Sequence, residues 1–521
     1  MKKIFLTLIA ASSLLSCSDY LDQPNKDFSN NPLIDNISPA QKLATAQLSL
    51  LNNEVISFNS YGNKMSYAYG LNSGFTSNDV AYSYNYASTS YEVLWENTYL
   101  YTDNMQDIID SESQYPDYAN HFAIAKIMKV QGMEKVINLY GDAPYSQAFN
   151  VNTSQPAYDD DKAIFKNLLL LLDEARQDII DAGAIASTIT PGGEDIVFGG
   201  DMAEWVKYAN TIELRMLLKL SNTTDASLIA LRTSRFANLD QNFIDTDVSY
   251  NPGFTGATSV QSSPMFRVYG VNVAQTAWTS SNRANAAGDF MAKVLNGTYT
   301  STDLVTTGVV DPRRPRMFTL VGGVVSGAVQ GTEATVAKSR LHAFVHGYTG
   351  ATGSEAYANG TERDAYAMLA SESLFLQAEA VQRGYLTGDA QSLFNQGITA
   401  SFAFYSTGFG TVTLAPLNAA TYISAINTKA GLGWAASTNK INCIMTQKWL
   451  ALSQWTGIEP YFDMLRTGFP NAPLPLGTTQ TTRPKRLIYP SSEYSSNSGN
   501  VISVSQSDLF SVNAKTPFYL Q

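Results

Sequence analysis

Tyrosine is concentrated in one short stretch of this chain, where its rings could form a binding surface. Nine tyrosines lie within the 41 residues from Tyr61 to Tyr101, whereas 29 tyrosines in 521 residues would place only two or three there. Three of them alternate, Tyr82, Tyr84 and Tyr86, so an extended segment would place their rings on one side, about 6.6 Å apart. Ring faces contact the C–H groups of a sugar or the side chains of a peptide, and the hydroxyls form hydrogen bonds. The stretch predicts either a strip that binds an extended, uncharged polymer or tyrosines packed between two halves of the fold.

A second candidate group lies in a block of low helical periodicity between about residues 240 and 362. Gly, Ser, Thr, Asn and Pro dominate this block, which predicts loops and short strands. Tyr269, Trp278 and Arg283 stand among these small polar residues, which leave room for a cleft. Trp278 is the only tryptophan of the block, and it either anchors a ligand or plugs the domain. We therefore include Tyr269, Trp278 and Arg283 with the alternating tyrosines as candidate ligand-binding residues.

The residues that catalysis usually requires are sparse. The chain has three histidines, and His342 and His346 have the four-residue spacing that can bring two rings to one helix face. Their segment lacks the glutamate of a zinc protease motif, which favours core or loop histidines over a metal site. The chain contains no Gly-x-Ser-x-Gly elbow, phosphate-binding Walker loop or Cys-x-x-Cys pair. Folding could still assemble the carboxylate pair of a glycosidase. We nevertheless expect a protein without catalytic residues, cofactors or metals.

The charge balance limits the classes of ligand. Lys and Arg number 34 against 45 Asp and Glu, for a formal net charge of -11, and only 15% of the residues are charged. Nucleic-acid binding requires a basic face for the phosphates, so we expect no nucleic-acid partner. Abundant Tyr, Ser, Thr and Asn suit uncharged polar ligands better.

The N-terminus predicts a targeting signal. Residues 1–16 combine two lysines with an apolar run that would span only about 18 Å as a helix, too short for the ~30 Å core of a bilayer. They are interpreted as a signal peptide, and Leu14 to Cys17 resembles a bacterial lipobox, which makes Cys17 the lipidated first residue of the mature chain. The alternative is an ordinary signal peptide with an incidental cysteine. Residues 17–40 are expected to form a tether, and Cys443, the other cysteine, lies in an apolar-periodic stretch and is expected to be a buried structural residue.

Helical periodicity predicts the framework that positions these groups. Apolar residues recur at spacings of three and four in four segment pairs, at about residues 91–140, 161–221, 371–406 and 437–466. The third pair has the length of a tetratricopeptide unit, in which two antiparallel helices stack on neighbouring pairs. Tyr91, Tyr99 and Tyr101 lie on the first predicted helix and are expected to pack.

Local signals predict where individual helices begin and end. The acidic run at residues 159–161 suits a helix N-terminus, and it lacks the alternate spacing around a glycine that a calcium loop requires. Gly141 and Pro144 are expected to end a helix at Tyr140. Glu379 and Arg383, four residues apart, are expected to pair on a helix surface, at roughly 0.2–0.5 kcal/mol.

Six motifs in one order resemble a known family, the SusD/RagB-like outer-membrane lipoproteins of Bacteroidetes, and in particular its SusD-like branch. Each motif alone is weak evidence, but six motifs in the same order are strong evidence. The resemblance covers nearly the whole chain. They are the lipobox, residues 138–145 (NLYGDAPY), 205–215 (WVKYANTIELR), 378–385 (AEAVQRGY), 459–470 (EPYFDMLRTGFP) and 486–490 (RLIYP) with Glu493 and Asn497.

The resemblance implies a fold and a function. The expected fold is mainly α, with four tetratricopeptide-like helix pairs in a right-handed superhelix and an irregular, loop-rich ligand-binding half with short strands. Residues 41–521 would form one such unit. The family captures nutrients, commonly glycans and sometimes peptides, at the cell surface, and sits as a lid over a TonB-dependent barrel transporter of the SusC type. We therefore expect a non-enzymatic lipoprotein, anchored in the outer membrane through Cys17 and facing outward, that binds an oligosaccharide or polysaccharide. The alternatives are a RagB-like peptide-capture protein, a surface hydrolase and a scaffold of the transporter.

Overall fold

A computed structural model of the chain describes residues 37–76, 79–350 and 353–521. The predicted signal peptide and Cys17 lie outside these ranges and stay predictions. The first helix of the described residues begins at Pro39, inside the segment expected to be a tether, and Ser38 forms a capping box with Gln41 at its start. Among the described residues, no helix is both long and apolar enough to cross a membrane.

Helices dominate the first half of the chain, where they form two of the predicted pairs. A π-helical turn, Glu54–Phe58, joins α1 to α2. The helices are α1 (Pro39–Asn53), α2 (Asn59–Met65), α3 (Val80–Ser83), α4 (Val93–Asp110), α5 (Ala119–Tyr140), α6 (Asp161–Ala184), α7 (Met202–Lys219) and α8 (Ala226–Asn238). The helices α1, α2, α3 and α8 were not predicted.

The middle of the chain is loop-rich, as predicted, and its described residues contain six short α-helices. They are α9 (Pro264–Tyr269), α10 (Ser280–Ala284), α11 (Asp289–Leu295), α12 (Arg314–Met317), α13 (Ala343–His346) and α14 (Ser354–Thr361). The last part of the chain returns to longer helices and supplies the other two pairs. Its helices are α15 (Ala370–Gln382), α16 (Ala390–Phe404), α17 (Ala419–Ile426), α18 (Lys440–Leu452), α19 (Ile458–Thr467) and α20 (Ser491–Ser496).

Within the described ranges, six short strands pair into three antiparallel two-stranded sheets. The strands are β1 (Tyr69–Leu71), β2 (Ala143–Pro144), β3 (Tyr158–Asp159), β4 (Val248–Tyr250), β5 (Asn285–Ala287) and β6 (Ala365–Met368). The pairs are β1 with β5, β2 with β3 and β4 with β6. In the first pair Tyr69 lies opposite Ala287, so this sheet attaches the N-terminal helices to the loop-rich half.

The four predicted helix pairs are present as α4 with α5, α6 with α7, α15 with α16 and α18 with α19. The mainly α fold class is therefore confirmed. The helix α5 is central, since it packs on α4, α6 and α7 and is buried from Asn120 to Tyr140. It ends as expected, where Gly141 has a φ of 75° and its N–H donates to Ile137 O. Asp160 accepts from the backbone N–H of Ala163, at 3.0 Å, so the acidic run caps α6.

Charged side chains are buried where the pairs meet. On α7, Arg215 Nη2 lies 3.0 Å from Glu134 Oε2, and Lys219 Nζ lies 3.0 Å from Glu459 Oε2. On α19, Arg466 donates to Asp463 Oδ1 at 2.7 Å and to Glu379 Oε2 at 2.8 Å. In these ion pairs each buried charge has an opposite charge beside it, because an unpaired buried charge would cost several kcal/mol of folding free energy.

Candidate functional site

The alternating tyrosines lie in the core and do not form an open strip. Tyr82, Tyr84 and Tyr86 are 2%, 2% and 4% exposed. The segment is not extended, because the Asp79 carboxylate accepts from Ala81 N–H and starts the single turn of α3, and Tyr84 then adopts a left-handed φ of 58°. The Tyr84 and Tyr86 rings do lie 6.5 Å apart, but all three rings are enclosed in the core.

Two of these tyrosines instead hold the C-terminal segment. The Tyr84 ring stacks on Phe510, with centroids 5.9 Å apart. The Tyr86 N–H donates to Gln506 Oε1 at 2.8 Å, and Gln506 Nε2 donates in turn to the carbonyl of Tyr84. In the structure these rings pack in the core, which was the second interpretation of the tyrosine stretch.

Tyr269 is also buried, at 2% exposure, and its role in the structure is to position its neighbours. Its ring meets Tyr69 edge-on at 6.3 Å. Its carbonyl accepts from Asn282 Nδ2 at 2.6 Å, which fixes α10 relative to α9. Tyr269 therefore supports the surface that carries Trp278 and Arg283.

Trp278 and Arg283 are the candidates that reach the surface. Of the six tryptophans, four are buried and Trp278 and Trp434 are partly exposed. Trp278 ends a hairpin in which it bridges Val271, and the Asn272 carboxamide accepts from Thr276 N–H at 2.9 Å to close the turn. Arg283 is exposed one helical turn farther on. A short ordered hairpin thus presents the indole at a fixed position.

The indole has packed neighbours that the sequence could not reveal. Its ring lies edge-on to Tyr348, at 5.5 Å, and the Arg340 guanidinium lies 5.3 Å from its centroid. Arg340 donates to Asn282 Oδ1 at 2.9 Å, so the cation is held in place. Arg340 is 62 residues beyond Trp278 in the chain, and no local signal connects the two. We name Trp278, Arg283 and Arg340 the tryptophan ledge.

An open groove begins beside the ledge, at Thr279. It lies between the π-helical turn and α2 on one side and α9 and α10 on the other, and its volume is about 440 Å³. We name it the junction groove, and its walls include Ser57, Tyr61, Tyr91, Val93, Arg267 and Ser280. Hydroxyls, aromatic edges and aliphatic carbons dominate, and Arg267 is the charged residue of its lining, with a pKa lowered chiefly by burial. Such walls match an uncharged, hydroxyl-rich ligand.

The sequence analysis did not identify this groove, and Tyr91 shows why. It was expected to pack on a helix, but it precedes α4 with a left-handed φ of 58° and lies half-buried in the groove wall. Its hydroxyl donates to Asp79, whose carboxylate also binds Lys64. The periodicity that assigned Tyr91 to the helix does not distinguish a last loop residue from a first helical one.

The two closely spaced histidines accept hydrogen bonds from nearby backbone, and the His346 ring also meets the Trp278 ring edge-on at 5.4 Å. The helix α13 has only four residues, so His342 precedes it and caps it, accepting from Phe344 N–H at Nδ1. His346 is buried, and its Nδ1 accepts from Tyr348 N–H. Burial lowers the pKa of both imidazoles, to about 4 for His342 and about 3 for His346. Both rings are thus neutral and engaged with the backbone near neutral pH.

A group of carboxylates gathers at the start of α6. Oxygens of Asp142, Asp160 and Asp161 lie within 4.8 Å of one another. Asp161 Oδ2 accepts from Phe518 N–H at 2.9 Å, and Asp142 Oδ1 accepts from Asp161 N–H at 3.0 Å. Each acid therefore has a backbone partner, and Asp161 fastens the C-terminal end of the chain to α6.

This buried carboxyl predicts a pH effect on stability. Burial, followed by the neighbouring carboxylates, raises the pKa of Asp161 to about 7. Because that value lies above the unfolded value of about 3.9, the protonated form contributes stability that is full below about pH 3.9 and is lost as the pH rises through about 7. Asn cannot ionise, so we expect the thermal midpoint of Asp161→Asn, relative to wild type, to rise between about pH 5 and pH 8.

Thermal unfolding in matched buffers measures this difference. Asp181→Asn, at an exposed position on the same helix, is the control and should follow wild type at every pH. A midpoint difference for Asp161→Asn that stays constant across this range would contradict the prediction.

Comparison with known proteins gives the family. The SusD-like family model, described as starch-binding and associating with the outer membrane, matches residues 30–490. A search among curated proteins gives no match.

Solved structures resemble the whole fold. A chitin-binding protein is 24% identical, with a TM-score of 0.66 over 89% of this chain and 95% of its own. A chitin-binding SusD homologue from Flavobacterium johnsoniae is 21% identical, with a TM-score of 0.67 over 88% and 94%. A SusD-like protein from Bacteroides thetaiotaomicron is 19% identical, with a TM-score of 0.65 over 88% and 94%. At these identities the likeness shows the fold. Since the family model covers most of the sequence, and the helix pairs and loop-rich half agree with it, the chain belongs to the SusD-like family.

Proposed function

We propose that this protein binds a glycan at the cell surface and delivers it to a TonB-dependent, SusC-like barrel in the outer membrane. The observation that carries the proposal is the tryptophan ledge beside the junction groove, in a chain of a family described as starch-binding and associating with the outer membrane. Attachment through a lipid on Cys17 and an outward-facing position belong to the same proposal. Binding is non-catalytic and independent of metals.

The chemistry of the two surfaces supports a sugar. An indole face binds the C–H face of a pyranose, and the serine hydroxyls of the junction groove can both donate to and accept from sugar hydroxyls. The net charge of -11 disfavours an anionic polymer. Two structural relatives are named as chitin-binding, which makes chitin fragments and starch fragments the first ligands to test.

Calorimetric titration of a soluble form beginning at Ser18 tests the proposal. The panel contains chitin oligosaccharides, starch oligosaccharides, an anionic polysaccharide and short peptides, and the ligand is analysed for cleavage afterwards. We expect saturable binding of an intact, uncharged glycan. Binding of peptides alone would support peptide capture instead, and a cleaved ligand would contradict the non-catalytic proposal.

Delivery requires a separate test. The full-length chain, expressed with a SusC-like barrel from the same organism, should purify as a complex from outer membranes, and replacing Cys17 by Ser should remove the chain from the membrane fraction. A Cys17→Ser variant that stays membrane-bound through extraction of the barrel would contradict the lipid anchor.

A further inference from the structure

A second open surface lies on the first helix pair. Two depressions of about 470 and 280 Å³ border α4 and the loop after α5, and Phe149, Asn150 and Val151 line both of them. We name the two depressions together the helix-pair groove. No part of it was a candidate from the sequence.

Aromatic rings form part of this groove and are held in place. The Tyr99 and Phe149 rings lie 5.9 Å apart. The Tyr99 hydroxyl donates to Pro144 O at 2.6 Å, so that ring cannot turn freely. Lys129 Nζ lies 4.9 Å from the Tyr145 ring and 4.7 Å from the Phe149 ring, which orients both. Rings fixed in this way lose little entropy when a ligand packs on them.

The polar groups of the groove determine which ligands suit it. Asp103 and Asp110 line it, and the pKa of Asp103 is raised, first by burial and then by the acids at Asp107 and Asp110. These carboxylates disfavour an anionic ligand and can accept hydrogen bonds from hydroxyls. Lys129 is the cation of the groove lining, and it is already engaged with the two rings and with Gln106. Rings beside carboxylates and amides suit an uncharged, hydroxyl-rich chain.

The helix-pair groove is close to the junction groove. Val93 lines the junction groove and Leu100 lines the helix-pair groove, and both belong to α4. Seven residues bring a helix back to nearly the same face after about 10.5 Å. Val93 is 46% exposed and Leu100 is 59% exposed, so both grooves border the solvent-facing side of α4.

We propose that the helix-pair groove is a second subsite for the same ligand, so that this protein binds an extended glycan chain across α4. The inference rests on the proposed function, because the occupant of the second groove is the continuation of the chain bound at the first. Short oligosaccharides reach only the tryptophan ledge and the junction groove, whereas longer chains contact both grooves.

The test is titration with oligosaccharides of increasing length from the series that binds. Phe149→Ala removes a ring from the second groove, and Val151→Glu places a longer side chain in the path of the ligand, at a position that is 98% exposed and so does not disturb the fold. Both variants should bind the longest chains about tenfold more weakly than wild type and the shortest chains equally well. Leu170→Ala, at an exposed position on α6, is the control and should match wild type throughout.

The outcomes distinguish this inference from the function on which it rests. If both groove variants bind every chain length as wild type does, the second subsite is wrong, while a loss in Trp278→Ala would still support glycan capture. If wild-type affinity does not rise with chain length, the inference is also overturned. If no glycan binds wild type, the proposed function fails and the second subsite fails with it.

Discussion

Trp278→Ala is expected to weaken glycan binding roughly thirtyfold. Truncating a central aromatic contact typically costs about 2 kcal/mol, and each 1.4 kcal/mol is a factor of ten in affinity. Trp278 meets that description, because Arg340 and Tyr348 hold its ring at a partly exposed position beside the junction groove. Calorimetric titration with the glycan that wild type binds measures the change in dissociation constant.

Two further variants make this result specific. Trp434→Ala removes the other partly exposed tryptophan, which packs on Phe394 at 5.5 Å, and it should bind as wild type does. Trp278→Phe keeps a ring on the Tyr348 contact and should fall between wild type and alanine. Equal affinities for Trp278→Ala and wild type, with both proteins folded by circular dichroism, would place the ligand elsewhere.

Arg466→Ala is expected to lower the free energy of unfolding by about 3–5 kcal/mol, which is typical when one partner of a buried ion pair is removed. Arg466 is 6% exposed and donates to both Asp463 and Glu379, and Glu379 is fully buried. Removing the guanidinium takes a positively charged partner away from two buried carboxylates. Most domains have only 5–15 kcal/mol of stability in total, so the loss is large.

Urea unfolding followed by tryptophan fluorescence measures this loss. Lys293→Ala is the matched control, because it breaks an exposed pair with Asp289 on α11, for which we expect only about 0–1 kcal/mol. Similar midpoints for Arg466→Ala and Lys293→Ala would show that the buried pair does not stabilise the fold as argued.

Glu379 also shows where sequence reasoning about charges is limited. Its spacing from Arg383 predicted a surface pair, and that pair exists, with Arg383 Nε 2.7 Å from Glu379 Oε1. The surface assignment is wrong, because α19 covers Glu379 and brings Arg466 onto the same carboxylate. The contact between Glu379 and Arg383 depends only on the geometry of one helix. The contact between Glu379 and Arg466, 87 positions away in the chain, depends on how the helices pack.

Features that depend only on residues close together in the chain could be predicted from the sequence alone. Apolar spacing of three and four located the four helix pairs, because an amphipathic helix must bury one face whatever covers it. Asp160 and Gly141 marked a helix start and a helix end, since capping depends on residues within one turn. Cys443 was expected to be buried, and it is.

Tertiary structure alone decided which aromatic residues are accessible. Tyr82, Tyr84 and Tyr86 have the composition of a binding strip but lie in the core, whereas Trp278 reaches the surface and meets Arg340 from a distant segment. Side-chain exposure is the outcome of contacts between segments far apart in the chain, and in a loop-rich half no periodicity reports those contacts. The sequence therefore determined the helical framework and the family of this protein, and the packing of its loops on that framework decided where a ligand can bind.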